Sequence, residues 1–271
     1  MTLSNRKILR TLLCLLAGTL YAVCLSACDA KEPLSENRDA EIESPVIAND
    51  LSNQKVTAIA EDTQGHIWIG TFRGLNKNNV HDYHQYFCTD DSLGLPDNQI
   101  THLLRDSKNR FWVGTVNGVC LYTDKDNFRI IPIEADNKNV RQILEDRNGR
   151  IFLNTGFQLY AYHPREEKIT CVLPEISPGN AFYAQCHIAP DNNLWVMTST
   201  GLRCYDPSTL QLKESVALNG YPYYSYLHNN ELWITGNHTL SIFDTRTRSF
   251  KPLPQPIAQN TTLCNADIDY I

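Results

Sequence analysis

The sequence predicts an all-β fold, a β-propeller of four-stranded blades, on three observations. Five segments repeat one another, each with a large aromatic residue set among apolar ones. Those anchors, Trp68, Trp112, Phe152, Trp195 and Trp233, are spaced by 44, 40, 43 and 38 residues, close to the roughly 40–50 residues of a propeller blade. Finally, 13 Tyr, 9 Phe and 4 Trp stand among 13 Gly and 13 Pro, a supply of pleat-filling side chains and of turns.

Each unit opens with a short apolar run, such as Val56-Thr-Ala-Ile-Ala-Glu-Asp62 or Ile100-Thr-His-Leu-Leu-Arg-Asp106, read as the innermost strand. Asp-x-x-Gly or its equivalent follows. Asp can bond the backbone two residues on, and Gly tolerates positive φ, so the chain reverses tightly. For Asp62, Asp106 and Asp146 this turn-capping role explains their regular placement better than a carboxylate array for a cation would. The second strand carries the aromatic anchor, as in Ile67-Trp-Ile-Gly-Thr71 and Phe111-Trp-Val-Gly-Thr115. A third strand runs through Val119–Leu121, Leu159–Tyr162, Leu202–Tyr205 or Leu240–Phe243. An outer strand follows at Phe128–Ile130, Ile169–Leu173, Leu210–Leu212 or Phe250. One such sheet cannot hide both apolar faces alone, so the anchors are expected to pack between blades.

The predicted blades are residues 50–98, 99–138, 139–180, 181–220 and 221–262, with 263–271 as the first strand of another. Five blades and one strand read as part of a seven-bladed ring, or as a five-bladed ring closed by that last strand.

Residues 1–27 read as a signal peptide or signal anchor: Arg6, Lys7 and Arg10 precede an uncharged apolar stretch, the charge step of an export segment. It ends in Leu25-Ser-Ala-Cys28, which resembles a bacterial lipobox and makes Cys28 the lipid-attachment candidate. Residues 28–49, rich in Glu and Asp, read as a flexible acidic linker. A formal net charge of −6 gives no basic footprint for nucleic acid. Of the remaining cysteines, Cys120 and Cys204 occupy equivalent places in their repeats and are expected to be packed thiols.

The run Asn53-Gln-Lys-Val56 through Trp-Ile-Gly-Thr71 and Gly74-Leu75, repeated as Asp97-Asn-Gln-Ile100 through Trp-Val-Gly-Thr115 and Gly118, resembles the two-component regulator propeller repeat. The resemblance is tight in the first two units and looser where Asn154, Met197 and Thr235 replace the strand-ending Gly. It implies the periplasmic sensor region of a Bacteroidetes hybrid histidine kinase, at the inner-membrane face or lipid-anchored in a Gram-negative cell. It further implies an oligosaccharide ligand, no cofactor, and no enzymatic activity in the propeller itself; a homodimer stays open. A lipid-anchored scaffold for protein partners, or a propeller glycosidase or lyase, are the competing readings.

Candidate chemistry is sparse. His81 and His84 point to opposite faces if their segment is a strand, which opposes a metal site. Cys186 and His187 are adjacent and face apart, which opposes a nucleophile pair. Tyr221, Tyr223, Tyr224 and Tyr226 offer flat rings for stacking a sugar, and aromatic rings are also ordinary blade filling. Asn237 and Asn260 begin glycosylation-type triplets that matter only in a eukaryotic host.

Overall fold

The structure is a computed structural model that describes residues 45–89, 94–123, 125–135, 137–176, 184–236 and 239–259. The signal segment, Cys28, Cys264, both glycosylation-type triplets and the strand expected at 263–271 lie partly or wholly outside these residues. Among the described residues the chain forms five antiparallel sheets in sequence order, apart from a one-turn helix α1 (Gln255–Ala258).

The first sheet contains β1 (Val46–Ala48), β2 (Val56–Glu61), β3 (Ile67–Thr71), β4 (Gly74–Asn79) and β5 (Asp82–Tyr86), in the order β1-β5-β4-β3-β2. The second is β6 (Ile100–Arg105), β7 (Phe111–Thr115), β8 (Gly118–Tyr122) and β9 (Phe128–Ile131). The third is β10 (Gln142–Glu145), β11 (Ile151–Asn154), β12 (Leu159–His163) and β13 (Lys168–Leu173). The fourth is β14 (Gln185–Ile188), β15 (Leu194–Thr198), β16 (Gly201–Tyr205) and β17 (Leu212–Val216). The fifth is β18 (Pro222–His228), β19 (Glu231–Gly236), β20 (Thr239–Asp244) and β21 (Ser249–Lys251). Successive innermost strands β2, β6, β10, β14 and β18 neighbour one another.

Two elements differ from the sequence reading. Val46–Ala48, assigned to the linker at 28–49, is a strand instead, pairing Val46 with Gln85 and Ala48 with Tyr83. It covers the outer edge of the first blade, which would otherwise present unpaired backbone groups. Leu210, expected on an outer strand, sits at φ 59° in a turn, and that strand starts at Leu212.

The inner hairpins share one local design. Asp62, Asp106 and Asp146 each accept two backbone N–H bonds, from the residues two and four positions on, at 2.8–3.0 Å. The turn needs a left-handed residue at its fourth position, and Gly65, Asn109, Gly149 and Asn192 supply it at φ 83°, 62°, 73° and 65°. Gly and Asn adopt this conformation more easily than other residues. The carboxylates also reach the anchors: Trp68 Nε1 donates to Asp62 at 2.9 Å and Trp112 Nε1 to Asp106 at 2.8 Å. At the far end of the second strand, buried Thr71, Thr115 and Thr198 donate to the carbonyls of Gly74, Gly118 and Gly201 at 2.8–3.0 Å.

The cores lie between the sheets rather than within them. One joins Trp68, Leu75 and Tyr86 of the first blade to Ile100, Phe111, Val113 and Phe128 of the second. The next joins Trp112, Val119 and Leu121 to Ile143, Ile151, Leu153 and Tyr162. Phe152 and Leu159 meet Cys186, Leu194 and Val196, and Trp195 and Leu202 meet Leu232, Ile234 and Phe243. Trp68, Trp112, Phe152 and Trp195 thus each face the following blade. Polar side chains stitch the same joints: Gln142 accepts from Cys186 N at 2.9 Å, and Gln185 accepts from Ser225 N and Oγ at 2.6 and 2.9 Å.

Candidate functional site

The candidate site lies on the fifth blade, where the described residues cover the anchor less completely than in the other four. Trp68, Trp112, Phe152 and Trp195 are fully buried. Trp233, read from the sequence as their equivalent, is only half-buried. Its face looks the way the other anchors look, toward a following sheet, and no described residue packs there as a blade. Tyr226 is its cross-strand partner on β18. Directly opposed rings on neighbouring strands lie side by side, so the pair presents a broad aromatic surface.

Strand alternation decides which of the tyrosines join it. Tyr224 and Tyr226 are 38% and 50% exposed, on the same side as exposed His228. Tyr223 alternates to the opposite side, and Tyr221 precedes the strand. A shallow hollow of about 350 Å³ is lined by Tyr226, His228, Glu231 and Trp233. Glu231 accepts from Lys251 Nζ at 3.1 Å, and Lys251 also pairs with Asp244 at 2.6 Å. The hydrogen bond to Asp244, and then that to Glu231, hold the ammonium above its usual range. Two flat rings flanked by a carboxylate and an imidazole can stack on a sugar face and hydrogen-bond its hydroxyls.

A second concavity, of about 370 Å³, lies where the first two blades meet on their inner-hairpin side. Its lining includes Asp62, Lys77, Arg105, Tyr122, Lys125 and Asp126. The sequence reading missed it, because its charged groups come from four separate turns and strands.

The remaining candidates resolve into structure. Cys186 is fully buried, and burial pushes its thiol up to about 12. His187 turns the other way and meets Ser225 Oγ at 2.8 Å. That hydroxyl also lies 2.9 Å from Gln185 Oε1, so the contact ties two blades together. Cys120 and Cys204 are fully buried thiols. His84 lies on β5 with its Nε2 4.0 Å from Asp82, and His81 sits in the preceding turn. Among the described residues no group of three or more His, Cys, Asp or Glu side chains could hold a metal ion.

Comparison with known proteins bears on fold and repeat type. The two-component regulator propeller family matches at residues 50–73 and 94–117. No curated protein matches the chain. Virginiamycin B lyase from Staphylococcus aureus superposes with a TM-score of 0.59 at 17% identity, over 78% of this chain and 74% of that one. A streptogramin B lyase gives 0.58 at 17% identity, over 79% and 74%. At such identities the likeness is one of fold. The extracellular domain of BT4673, described as a hybrid two-component system from B. thetaiotaomicron, gives 0.47 at 16% identity. That match covers 77% of this chain, which spans only 37% of the larger protein. Five consecutive antiparallel sheets, joined through their buried anchors, make this chain a β-propeller that carries two-component regulator propeller repeats at residues 50–73 and 94–117.

Proposed function

We propose that this chain is the extracytoplasmic ligand-sensing propeller of a hybrid two-component sensor histidine kinase, and that its ligand is an oligosaccharide. The observation that carries the reading is the pair of regulator propeller repeats at residues 50–73 and 94–117. The basic-then-apolar N-terminus, read as an export segment with Cys28 as its lipid-attachment point, supports placement outside the cytoplasm. The surface formed by exposed Tyr226 and partly buried Trp233 supports a sugar ligand. In this reading the propeller binds and a separate histidine kinase region performs phosphotransfer. A ligand shifts such a receptor only by as much as it favours one signalling state over the other.

Calorimetric titration with a panel of neutral plant and host oligosaccharides tests the binding step. Trp233→Ala and Tyr226→Ala are each expected to weaken binding about two- to tenfold, from the roughly 0.5–1.5 kcal/mol of an aromatic contact, with unchanged circular dichroism. Affinity unmoved by both substitutions would remove the aromatic surface from the proposal. Hydrolysis or elimination of any bound glycan would favour the enzyme reading. For the anchor, a lipid probe should label the wild type in cells and leave Cys28→Ala unlabelled.

A further inference from the structure

We propose that the hollow between the first two blades is an oxyanion-binding site for a small carboxylate-, sulfate- or phosphate-bearing ligand, with Lys77, Arg105 and Lys125 as its cations. Its volume, about 370 Å³, falls in the range of about 300–1,000 Å³ usual for small-ligand sites.

The charge argument begins with what the two acids in the hollow are already doing. Asp62 accepts from Trp68 Nε1 at 2.9 Å, from the backbone of Gln64 and His66, and lies 3.0 Å from His66 Nδ1. Burial alone would raise its pKa, but these hydrogen bonds outweigh it and hold the carboxyl below its usual range. Asp126 Oδ1 accepts from Tyr86 at 2.6 Å and Tyr122 at 3.0 Å. Both carboxylates are therefore engaged with the blade walls, while the cations are not engaged with them.

Lys77, Arg105 and Lys125 form no ion pair among the described residues. Lys77 Nζ rests 5.3 Å from the Trp68 ring centre and 5.4 Å from that of Tyr122, with the Tyr122 hydroxyl 3.5 Å away. Arg105 spends Nη1 on the Asp62 carbonyl at 3.1 Å, leaving most of its planar fork unspent. Lys125 is exposed at the tip of the β8–β9 turn, at φ 62°. Cations elsewhere in the blades behave differently: Arg110 pairs with Asp106, Arg150 with Asp146, Lys213 with Asp206 and Arg248 with Glu214. Three cations without an ion pair among the described residues outnumber the two carboxylates of the hollow, and in a chain of net charge −6 they leave a local positive potential that an oxyanion would neutralise.

The site lies on different blades from Trp233, so it can stand or fall independently of neutral-glycan binding. Titration of the full chain at low salt with glucuronate, inorganic sulfate and inorganic phosphate, with glucose as the neutral control, tests it. At least one anion should bind, glucose should not bind here, and affinity should fall as salt rises. Lys77→Met keeps the stem against the rings and removes the charge; combined with Lys125→Gln it should weaken anion binding about tenfold or more. Trp233→Ala should leave anion binding unchanged. Should Lys77→Met disturb folding, the exposed Lys125→Gln alone should still weaken binding. The preferred anion identifies the source chemistry. Failure of all three anions to bind, or binding unchanged by Lys125→Gln and by the folded double variant, overturns the proposal.

Discussion

Asp62 and Asp106 each accept an indole N–H from the residue six positions on, and the fourth blade has Ala189 at the matching place. Its turn keeps the same backbone bonds, from Ala189 N to Asn193 O at 2.9 Å and from Asn192 N to Ala189 O at 2.8 Å. Trp195 Nε1 is buried there without a partner among the described residues. An unmet buried donor costs about 1–3 kcal/mol. Ala189→Asp is therefore expected to stabilise the chain by about 1 kcal/mol, seen as a raised midpoint in urea. Asp106→Ala should destabilise it by about 2 kcal/mol or more, since one carboxylate serves two backbone amides and an indole. A lower midpoint for Ala189→Asp would show that burying the new carboxylate outweighs the bond it makes. The turn role of these aspartates was legible because it is local. The indole bond was less so: the signal, Asp six residues before Trp, was present in only two units.

Two buried imidazoles belong to the same scale. Burial holds His102 and His187 down to about 4, a backbone hydrogen bond at Ile143 partly opposing this for His102. Both are neutral in the folded chain, whereas an unfolded His titrates near about 6.5. Their contribution is complete above about pH 6.5 and declines as pH falls from there toward about 4, because the unfolded state then binds more protons. Depressed carboxylates such as Asp244, held down first by its hydrogen bond from Lys251, keep their contribution through this range and lose it only below about pH 4. Thermal melts between pH 7 and 4.5 should show this decline, and His187→Gln should flatten part of it.

At the scale of the element, the strand-ending glycine sets how closely blades approach. A Cβ on Gly70 would lie 2.5 Å from Ile100 Cγ2, on the innermost strand of the next blade. Gly70→Ala is thus expected to cost about 1–3 kcal/mol through overpacking, and trimming Ile100 to Val should recover part of it. The third blade solves the same joint differently. Asn154 donates to Gln142 Oε1 at 2.7 Å and to the Ala184 carbonyl at 2.8 Å, and accepts from Gly156 N at 2.7 Å. From the sequence, Asn154 was only a departure from the repeat; its partners lie up to 30 residues away, beyond the reach of a local pattern. Strand β1 escaped for another reason. Val46–Ala48 is three residues long beside an acid-rich stretch, too short for alternation to register.

For the whole molecule, stability is a series of joints between neighbours. Trp112 fills one of them, with Tyr162 edge-on at 4.9 Å and Arg110 over its ring at 5.1 Å. Trp112→Ala should cost about 3–5 kcal/mol. Trp233→Ala should cost less, about 2 kcal/mol, a partly covered ring having less to lose. Equal losses in denaturant melts would mean that something covers Trp233 in solution. The repeat, its period and its four buried anchors could all be read from the sequence, because each unit restates the same local chemistry. The two ligand-sized hollows could not. One depends on how little the described residues cover Trp233, and the other gathers charges from turns and strands scattered over some sixty-five residues.

Because each of the four buried anchors is sheltered by the sheet that follows it, shortening the protein from its C-terminal side would be self-similar. Removal of the fifth blade would unveil Trp195, and removal of the fourth as well would do the same to Phe152. Each shortened form would carry a fresh aromatic surface at its end, so a ladder of truncations would march one sticky patch stepwise along the array.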